Sequence, residues 1–383
     1  MVDSKKRGTI VFVGGMEMPD KNAAAHYVMN SSKLLSELGY SIVWCGVDKN
    51  IKNNSFYPQK MGKFWNYPAK YPINSKEWVK YVFDFSFVES VLKMQKDLKY
   101  IVCYNSHAIH LSHIIRFAHK KNVKVIVAAT EWYENKFSAR PIKLIKWIDT
   151  FFSMRFFQKK ADGIISISTY LTNYYKKSVA NIVTLPPTID FRDKIWHIQD
   201  ILADDEVSFV YAGSGGTGKD KIDLIISAFA TLLNEKFVFR VIGITKDQFL
   251  QSYGDCTTEL LELGDRIVFL GRVSHQESIG YLLKSDYTLI IRDLSRKNMA
   301  GFPTKFVEAA TCGVGIIANN FSNISDFYPL ENSILLNSIS KEAIAESILQ
   351  SIRNGKICHK ANDTFAYENF LQRVESFLDD LEK

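Results

Sequence analysis

The chain lacks the sequence features of several protein classes. No apolar run is long enough to span a bilayer as a helix, and the apolar run after the basic residues 1–7 is too short for a signal peptide. The five cysteines are odd in number and have no paired spacing, so we expect reduced thiols rather than disulfides or zinc. No Asp-x-Asp motif lies in a loop suited to metal binding. These absences favour a cytoplasmic globular protein that needs no metal and no other cofactor.

The 383 residues are ordinary in composition, with 46% apolar and 23% charged side chains. This length suggests two or three domains, each able to bury its own core. Neither a repeat nor a low-complexity tract interrupts the chain. What the composition leaves open is how the net charge of +7 is distributed.

Basic residues alternate with aromatic rings in two segments, residues 56–71 and 142–160. Rings and basic heads together suit an anionic membrane surface, and no nucleic-acid-binding module is recognisable. We therefore predict peripheral binding at the inner face of the plasma membrane and no nucleic-acid partner. A core helix whose charged ends reach solvent explains the second segment equally well. The rings concerned are Trp65, Tyr67, Trp147, Phe151, Phe152, Phe156 and Phe157.

Strand-like runs alternate with helical patterns along the whole chain, which predicts an α/β protein with two parallel-sheet domains. Residues 47–73 are expected to be a long loop, and residues 76–96 and 142–160 one helix each. A polar linker over residues 190–204 separates the halves. We predict domains at 1–190 and 191–363, with a final helix over about 364–383 packing on the first domain. The predicted strands are Thr9–Val13, Ser41–Cys45, Tyr100–Tyr104, Lys124–Ala128, Gly163–Ile167, Ile182–Leu185, Val207–Ala212, Phe237–Gly243, Arg266–Leu270, Tyr287–Ile291, Gly315–Ala318 and Ser333–Leu336.

Residues 300–313 combine a turn with an amphipathic helix that a glycine ends before a buried strand. Gly301 and Pro303 form the turn, and loops at strand ends of open α/β sheets are where ligands bind. The helix N-terminus can hold an anion through backbone amides. Pro303 has no amide hydrogen, so the donors are Phe302, Thr304 and Lys305.

Glu308 lies about one turn into the same helix. Its carboxylate can accept hydrogen bonds from two neighbouring hydroxyls, such as a ribose diol. The alternative is a helix with one exposed glutamate and no ligand.

Residues 213–219 fit the first seven positions of a phosphate-binding P-loop and follow a predicted strand. The eighth position should be Ser or Thr, yet Asp220 stands there, and a carboxylate repels a triphosphate unless a metal intervenes. Gly213, Ser214 and Gly218 still permit close approach of a diphosphate, and Lys219 adds charge at a helix N-terminus. A flexible glycine-rich turn with a solvated lysine is the alternative.

Together these two segments resemble the nucleotide-sugar signature of retaining GT-B glycosyltransferases of family 4, of the bacterial capsule and exopolysaccharide type. The resemblance implies two Rossmann-like domains facing a cleft. It also implies that the leaving diphosphate is held by Lys219, helped by Arg292 or Lys305, and that Val273 flanks the base. One position departs from the family, because Ala300 replaces the first of its two characteristic glutamates.

The resemblance places the acceptor in the first half of the chain. Gly14 and Gly15 follow the first strand without forming a dinucleotide-binding G-x-G-x-x-G pattern; their backbone can approach a ligand, and we predict that both bind the donor. His107 and Glu131 follow later strands, so both are candidates for orienting an acceptor, with Lys219 as the third catalytic candidate. A satisfied surface histidine is as good an explanation of His107. The predicted acceptor-binding residues are Asn22, His26, Asn105, Glu131 and Trp132.

These patterns predict transfer of a sugar from a nucleoside diphosphate sugar, UDP-linked rather than GDP-linked, to a hydroxyl of a glycan or lipid-linked acceptor. The family resemblance implies retention of configuration and a role in surface polysaccharide synthesis. Amide dipoles at two helix N-termini, with Lys219 and Lys305, can stabilise the diphosphate without a metal. A nucleotide-sugar epimerase and a non-catalytic nucleotide-binding or sugar-binding protein remain as alternatives.

Overall fold

A computed structural model describes residues 7–133, 141–197, 205–213 and 219–383. The chain divides into two compact units. The N-terminal unit comprises Met1–Asp190 and Ala366–Lys383, and the C-terminal unit comprises Phe191–Phe365. Each unit is built on its own, mainly parallel sheet, as the alternation of strands and helices predicts.

The N-terminal sheet has the strand order β10-β9-β8-β7-β1-β2-β5-β4, parallel except where β4 meets β5. A separate parallel pair joins β3 to β6. The direction of strand addition reverses beside β1, and ligands bind at such reversals, beyond the carboxyl ends of the strands. The strands are β1 (Gly8–Gly14), β2 (Tyr40–Cys45), β3 (Val47–Asp48), β4 (Gln59–Met61), β5 (Phe64–Asn66), β6 (Ala69–Lys70), β7 (Leu98–Tyr104), β8 (Lys124–Ala129), β9 (Gly163–Ser166) and β10 (Asn181–Thr184).

Three helices of this unit begin at a polar residue whose side chain caps the helix. Asn22, Asn74 and Ser168 each accept a hydrogen bond from a backbone amide three residues further on. The helices are α1 (Ala23–Glu37), α2 (Ser75–Phe83), α3 (Ser86–Met94), α4 (Ala108–Lys120), α5 (Pro141–Phe152) and α6 (Thr169–Tyr175). A π-helical turn, Ser153–Phe157, and a 3-10 turn, Gln158–Lys160, continue α5.

Two of the predictions for this unit are wrong. The predicted single helix over residues 76–96 is broken because Asp84 is extended and its Oδ1 accepts from the Ser86 amide at 3.0 Å, which starts α3. The predicted loop over residues 47–73 contains four short strands, and β5 extends the main sheet by pairing with β2. Strands of two or three residues are too short to give an alternating pattern.

The C-terminal sheet is wholly parallel, in the order β13-β12-β11-β14-β15-β16, with its reversal between β11 and β14. Its strands are β11 (Val207–Ala212), β12 (Phe237–Ile242), β13 (Ile267–Gly271), β14 (Tyr287–Ile290), β15 (Gly315–Asn319) and β16 (Ile334–Leu336). Its helices are α7 (Ile222–Phe229), α8 (Lys246–Ser252), α9 (Thr257–Leu263), α10 (His275–Lys284), α11 (Arg296–Ala300), α12 (Thr304–Cys312) and α13 (Lys341–Asn354). The short helices α8, α9 and α11 are additions to the predicted elements.

The chain ends with α14 (Leu371–Glu382), which belongs to the N-terminal unit. It packs closely there, because a Cβ placed on Gly163 would lie 2.8 Å from the Phe377 ring. The Tyr100 hydroxyl also donates to Glu382 Oε1 at 2.9 Å. Within the ranges that the structure describes, no helix has both the length and the apolar character needed to cross a bilayer.

Candidate functional site

The strand-order reversal of the C-terminal sheet brings together residues that follow β11 and β14. Asp220, beyond β11, forms an isolated antiparallel bridge with Arg292, just beyond β14. The Lys221 amide donates to the Ile291 carbonyl at 2.8 Å and closes this connection. Backbone pairing therefore holds the Asp220 carboxylate beside the Arg292 guanidinium.

These residues form a buried ionic cluster, which we call the Asp220 cluster: Asp220, Arg292, Lys305 and Tyr211. Arg292 Nε donates to Asp220 Oδ1 at 2.6 Å, and Lys305 Nζ donates to Asp220 Oδ2 at 2.6 Å. The Tyr211 hydroxyl also donates to Oδ2, at 2.9 Å. The side chains of Asp220, Arg292 and Lys305 are 8%, 11% and 14% exposed. Two cations share one carboxylate, so the cluster carries an excess positive charge.

Burial and charge together set the ionisation of the cluster. Burial opposes ionisation of Asp220, but the charges of Lys305 and Arg292 outweigh it and hold the Asp220 pKa below its ordinary value. Burial lowers the pKa of Lys305 to about 8, although Asp220 acts in the opposite direction. Burial, reinforced by Asp220, raises the pKa of Tyr211, which therefore stays a neutral donor. The excess positive charge depends on Lys305 and is lost as the pH rises through about 8.

Gly213, which follows β11, is required by the close approach of this cluster. A Cβ at this position would lie 2.7 Å from the Tyr211 hydroxyl oxygen and 3.1 Å from Lys305 Nζ. The predicted donor-binding residues Ser214 and Gly218 lie outside the described residues. Lys219 is exposed, and its carbonyl accepts from Asn298 Nδ2 at 3.3 Å.

The charge of Asp220 has to be reinterpreted. The sequence suggested a carboxylate that would repel a nucleotide phosphate, which treats its charge as uncompensated. The structure pairs it with Arg292 and Lys305, so these two predicted phosphate ligands are already engaged by Asp220. Asp220 therefore positions two cations, and its own negative charge is compensated by them.

The predicted anion-binding turn precedes α12 as expected, with Pro303 at the N-cap. The first amides of a helix have no intrahelical partner, so Thr304 and Lys305 can donate to a ligand. The Phe302 ring is buried against Phe306, Phe327 and Phe365, which leaves only its backbone for binding.

Glu308 lies one turn beyond Lys305 on α12, and residues three apart share a helix face. Its Oε1 is 3.0 Å from His275 Nε2, which the sequence did not predict. His275 is the first residue of α10, behind a capping box formed by Ser274 and Glu277. Val273 is half-buried immediately before that cap. Ala300, the position at which the sequence departs from the family it resembles, is fully buried.

In the N-terminal unit, His107 is fixed by a carboxylate on another helix. Its Nδ1 is 2.7 Å from Asp149 Oδ2, and Asp149 Oδ1 accepts from the Ala108 amide at 2.7 Å. A carboxylate acceptor at Nδ1 places the hydrogen of the neutral imidazole there. Asp149 thus holds the partly exposed His107 ring in one orientation, and its role in binding an acceptor stays a prediction. No sequence pattern pointed to Asp149, which lies 42 positions away.

Gly14, Gly15 and Asn22, three other predicted ligand contacts of this unit, have different surroundings. Gly14 is a tight backbone contact, because any Cβ there would collide with the Tyr104 carbonyl. A Cβ placed on Gly15 would meet no atom of the described residues within 4 Å, so open space adjoins it. Asn22 caps α1 and donates to the Gly15 carbonyl at 3.3 Å.

The remaining acceptor candidates differ in accessibility. Asn105 is exposed in a left-handed conformation, and His26 and Glu131 are half-buried. The Trp132 ring is only 3% exposed. It packs edge-on against Tyr174 and under the Arg155 guanidinium. Packing thus covers most of this ring in the conformation described, and its contact with an acceptor stays a prediction.

Comparison with known proteins identifies the domain and the fold. The family described as Glycosyl transferases group 1 matches residues 195–365. No curated protein sequence matches the chain. Similarity to solved structures extends over nearly the whole chain. Sucrose-phosphate synthase from Thermosynechococcus elongatus is 13% identical, with a TM-score of 0.69 over 98% of this chain and 99% of that chain.

Two further solved structures are similar over nearly their whole length. The UDP-forming α,α-trehalose-phosphate synthase from Burkholderia xenovorans, in complex with glucose-6-phosphate, has a TM-score of 0.62 at 11% identity, covering 98% of this chain and 100% of that chain. UDP-GlcNAc 2-epimerase from Methanocaldococcus jannaschii has a TM-score of 0.57 at 10% identity, covering 97% and 99%. These likenesses show the two-domain GT-B fold, and the family match shows a glycosyltransferase group 1 domain over residues 195–365. The protein is accordingly a glycosyltransferase.

Proposed function

We propose that the protein is a retaining glycosyltransferase, resembling family 4, that needs no metal. It transfers a sugar from a UDP-sugar to a hydroxyl of a glycan or lipid-linked acceptor in surface polysaccharide synthesis. UDP is preferred over GDP as the carrier, in keeping with the UDP-forming trehalose-phosphate synthase that shares the fold.

The observation that carries this proposal is the Asp220 cluster beside the N-terminus of α12. A diphosphate needs positive charge and oriented amides, and the cluster supplies excess charge where helix amides lack partners. Glu308 lies about one turn further along the same helix, and its carboxylate can accept hydrogen bonds from the two hydroxyls of a ribose. The diphosphate of a nucleoside diphosphate would meet the cations and the helix amides, and its ribose would meet the Glu308 carboxylate.

Transfer then depends on stabilising the departing diphosphate. Lys305 and Arg292 are held in place by Asp220 before the substrate arrives, so little reorganisation is needed as negative charge develops. Lys219 directly precedes Asp220 in the sequence and adds an exposed cation. These groups take the role that a divalent metal has in other glycosyltransferases, which is why we propose metal independence.

On the acceptor side we assign catalytic roles to His107 and Glu131. Asp149 fixes the His107 ring, so His107 Nε2 can hydrogen-bond an acceptor hydroxyl in a defined direction. Glu131 follows β8 and offers a carboxylate near the same edge of the N-terminal sheet.

The test is a screen of UDP-sugars and GDP-sugars for thermal stabilisation of the protein and for nucleotide release. We expect a UDP-sugar to stabilise the protein in the presence of excess chelator and to release UDP with an acceptor glycan. The anomeric configuration of the product, measured by NMR, should match that of the donor. Conversion of the sugar without an acceptor would instead identify an epimerase. Binding without release under every condition would identify a non-catalytic protein.

We also propose peripheral binding to anionic membranes through α5 and the π-helical turn after it. Phe152 and Phe156 remain 43% and 49% exposed, and their rings lie 5.3 Å apart. Arg155 lies over the Phe151 ring at 4.5 Å, so basic and aromatic groups adjoin on this surface. Such a surface suits headgroup depth, where each nearby cation gains about 1 kcal/mol from anionic lipid.

Sedimentation with vesicles tests the membrane proposal. The protein should bind phosphatidylserine-containing vesicles at low salt, release as salt rises, and bind phosphatidylcholine vesicles weakly. Replacing Phe152 and Phe156 by Ser should abolish binding. Leu261→Ser removes an exposed apolar side chain from the C-terminal unit and should leave binding intact. Equal partitioning to both kinds of vesicle would show that the patch does not act as proposed.

A further inference from the structure

A small pocket opens at the carboxyl ends of β1, β2 and β7, where the N-terminal sheet reverses its strand order. Its volume is about 30 Å³, and its lining includes the polar side chains of Tyr81, Asn105, Ser106, His107 and His110. A cavity of this size holds one or two water-sized groups. It cannot hold a sugar ring, but it can hold one hydroxyl-bearing arm of a ring that sits outside.

His110, on α4, is the unusual member of this lining. The residue is only 7% exposed, and its Nε2 has no hydrogen-bond partner among the residues that the structure describes. The Asp84 backbone acts to raise the pKa of the ring, and since Nε2 has no partner, Nδ1 is the nitrogen that faces this backbone. Nδ1 therefore carries the hydrogen, and Nε2 presents a lone pair.

The charge state of His110 follows from its surroundings. Burial, and next the proximity of His107, lower the pKa of His110 to about 4, while the Asp84 backbone and Asp149 act in the opposite direction. The ring is consequently neutral at ordinary pH, and Nε2 remains an acceptor. A buried acceptor without a donor is unfavourable, and a ligand hydroxyl can satisfy it.

His107 lines the same pocket with similar chemistry. Its Nδ1 is committed to Asp149, so its Nε2 is the nitrogen left for a ligand. The two imidazole rings lie 6.3 Å apart between centroids and nearly perpendicular to each other. A hydroxyl group placed in this pocket thus meets the lone pair of His110 Nε2 and the second ring nitrogen of His107.

The lining also limits which ligands fit. No Lys or Arg is among the described residues that line the pocket. A phosphate or carboxylate has only acceptor oxygens and would face the imidazole lone pairs without a compensating cation. A neutral hydroxyl, in contrast, donates its hydrogen to either nitrogen.

We propose that this pocket is a specificity subsite that receives one hydroxyl-bearing arm of an uncharged sugar acceptor, which donates hydrogen bonds to His110 and His107, and that it rejects a phosphorylated arm. The inference rests on the proposed function, because it describes the acceptor of that reaction. The trehalose-phosphate synthase with the same fold was crystallised with glucose-6-phosphate, so this choice would separate the two proteins.

The test uses ligand-observed NMR on the full chain, with methyl α-glucoside, methyl α-galactoside and glucose 6-phosphate as probes. We expect at least one methyl glycoside to bind and glucose 6-phosphate to bind at least tenfold more weakly, about the effect of one lost hydrogen bond. His110→Phe keeps the ring that packs against Tyr81 and Phe85 but removes the acceptor nitrogen. It should weaken glycoside binding by about tenfold.

His113→Phe is the matched control. His113 lies on α4 as well, is exposed and does not line the pocket, so its replacement should leave binding unchanged. Monodeoxy methyl glucosides provide a second measurement that needs no variant, in case His110→Phe fails to fold. One of them should bind wild-type protein about tenfold more weakly than the parent.

The outcomes are decisive in either direction. The subsite is refuted if no methyl glycoside binds, if glucose 6-phosphate binds as well as the glycosides, or if every monodeoxy sugar binds like its parent. Equal binding by the folded His110→Phe and His113→Phe variants refutes it too. Donor binding is measured separately with UDP-sugars. Glycoside binding without donor binding would contradict the proposed function but not the proposed subsite.

Discussion

Replacing Asp220 by Asn removes the one carboxylate that Arg292 and Lys305 share, with almost no change of shape. All three side chains are at most 14% exposed, so solvent screens the loss poorly. Breaking a buried ion pair by removing one partner costs 3–5 kcal/mol, roughly, and Asn retains an oxygen that accepts from one cation. We therefore expect a loss near the lower limit, about 3 kcal/mol of unfolding free energy.

For a domain the size of the C-terminal unit, each kcal/mol moves Tm by about 2–4 °C, so the expected decrease is about 6–12 °C. The same substitution should strengthen diphosphate binding even though it lowers stability. Two unpaired cations attract a diphosphate more strongly than the compensated cluster does. Asp220 raises the pKa of Lys305, so the substitution lowers that pKa further. At a pH acidic enough to keep Lys305 charged in the variant, UDP should raise the Tm of Asp220→Asn by more than it raises that of the wild type.

Differential scanning fluorimetry with and without UDP measures both effects. Asp223→Asn is the control, since Asp223 lies in the first turn of α7 and its replacement costs at most about 1 kcal/mol through the helix dipole. If Asp220→Asn melts within about 2 °C of the wild type, the buried pairs do not contribute as calculated. If UDP stabilises the variant no more than the wild type, the cluster does not receive the diphosphate.

Three other predictions concern the same site. Glu308→Gln should weaken UDP affinity by about 1.5–3 kcal/mol in a titration, because charged hydrogen bonds to the ribose are lost, whereas His275→Gln, which keeps the carboxylate, should have a smaller effect. UDP affinity should fall as the pH rises through about 8, where Lys305 loses its proton, and Lys305→Arg should remove that fall; an unchanged profile would show that Lys305 is not the titrating group. Turnover should persist in excess chelator but drop about 100-fold in Lys219→Ala, and an absolute magnesium requirement would contradict the mechanism.

The sequence by itself predicted the elements whose signals are local. Buried strands such as β11 and β15 are short runs of apolar residues, and α1, α6 and α10 begin at a polar residue whose side chain caps the helix. Both signals depend on residues a few positions apart. For the same reason the sequence identified the turn before α12 and placed Glu308 about one turn into that helix.

Only the tertiary structure decided which charges meet. Asp220 is paired with residues 72 and 85 positions away, and His107 with a carboxylate 42 positions away. A sequence shows that such groups exist, but their partners depend on how the sheet orders its strands and on which helices pack beside them. The burial of Trp132 and the unpaired nitrogen of His110 have the same origin. Local sequence fixes a side chain's position along its own strand or helix, whereas its burial and electrostatic environment come from residues distant in the chain.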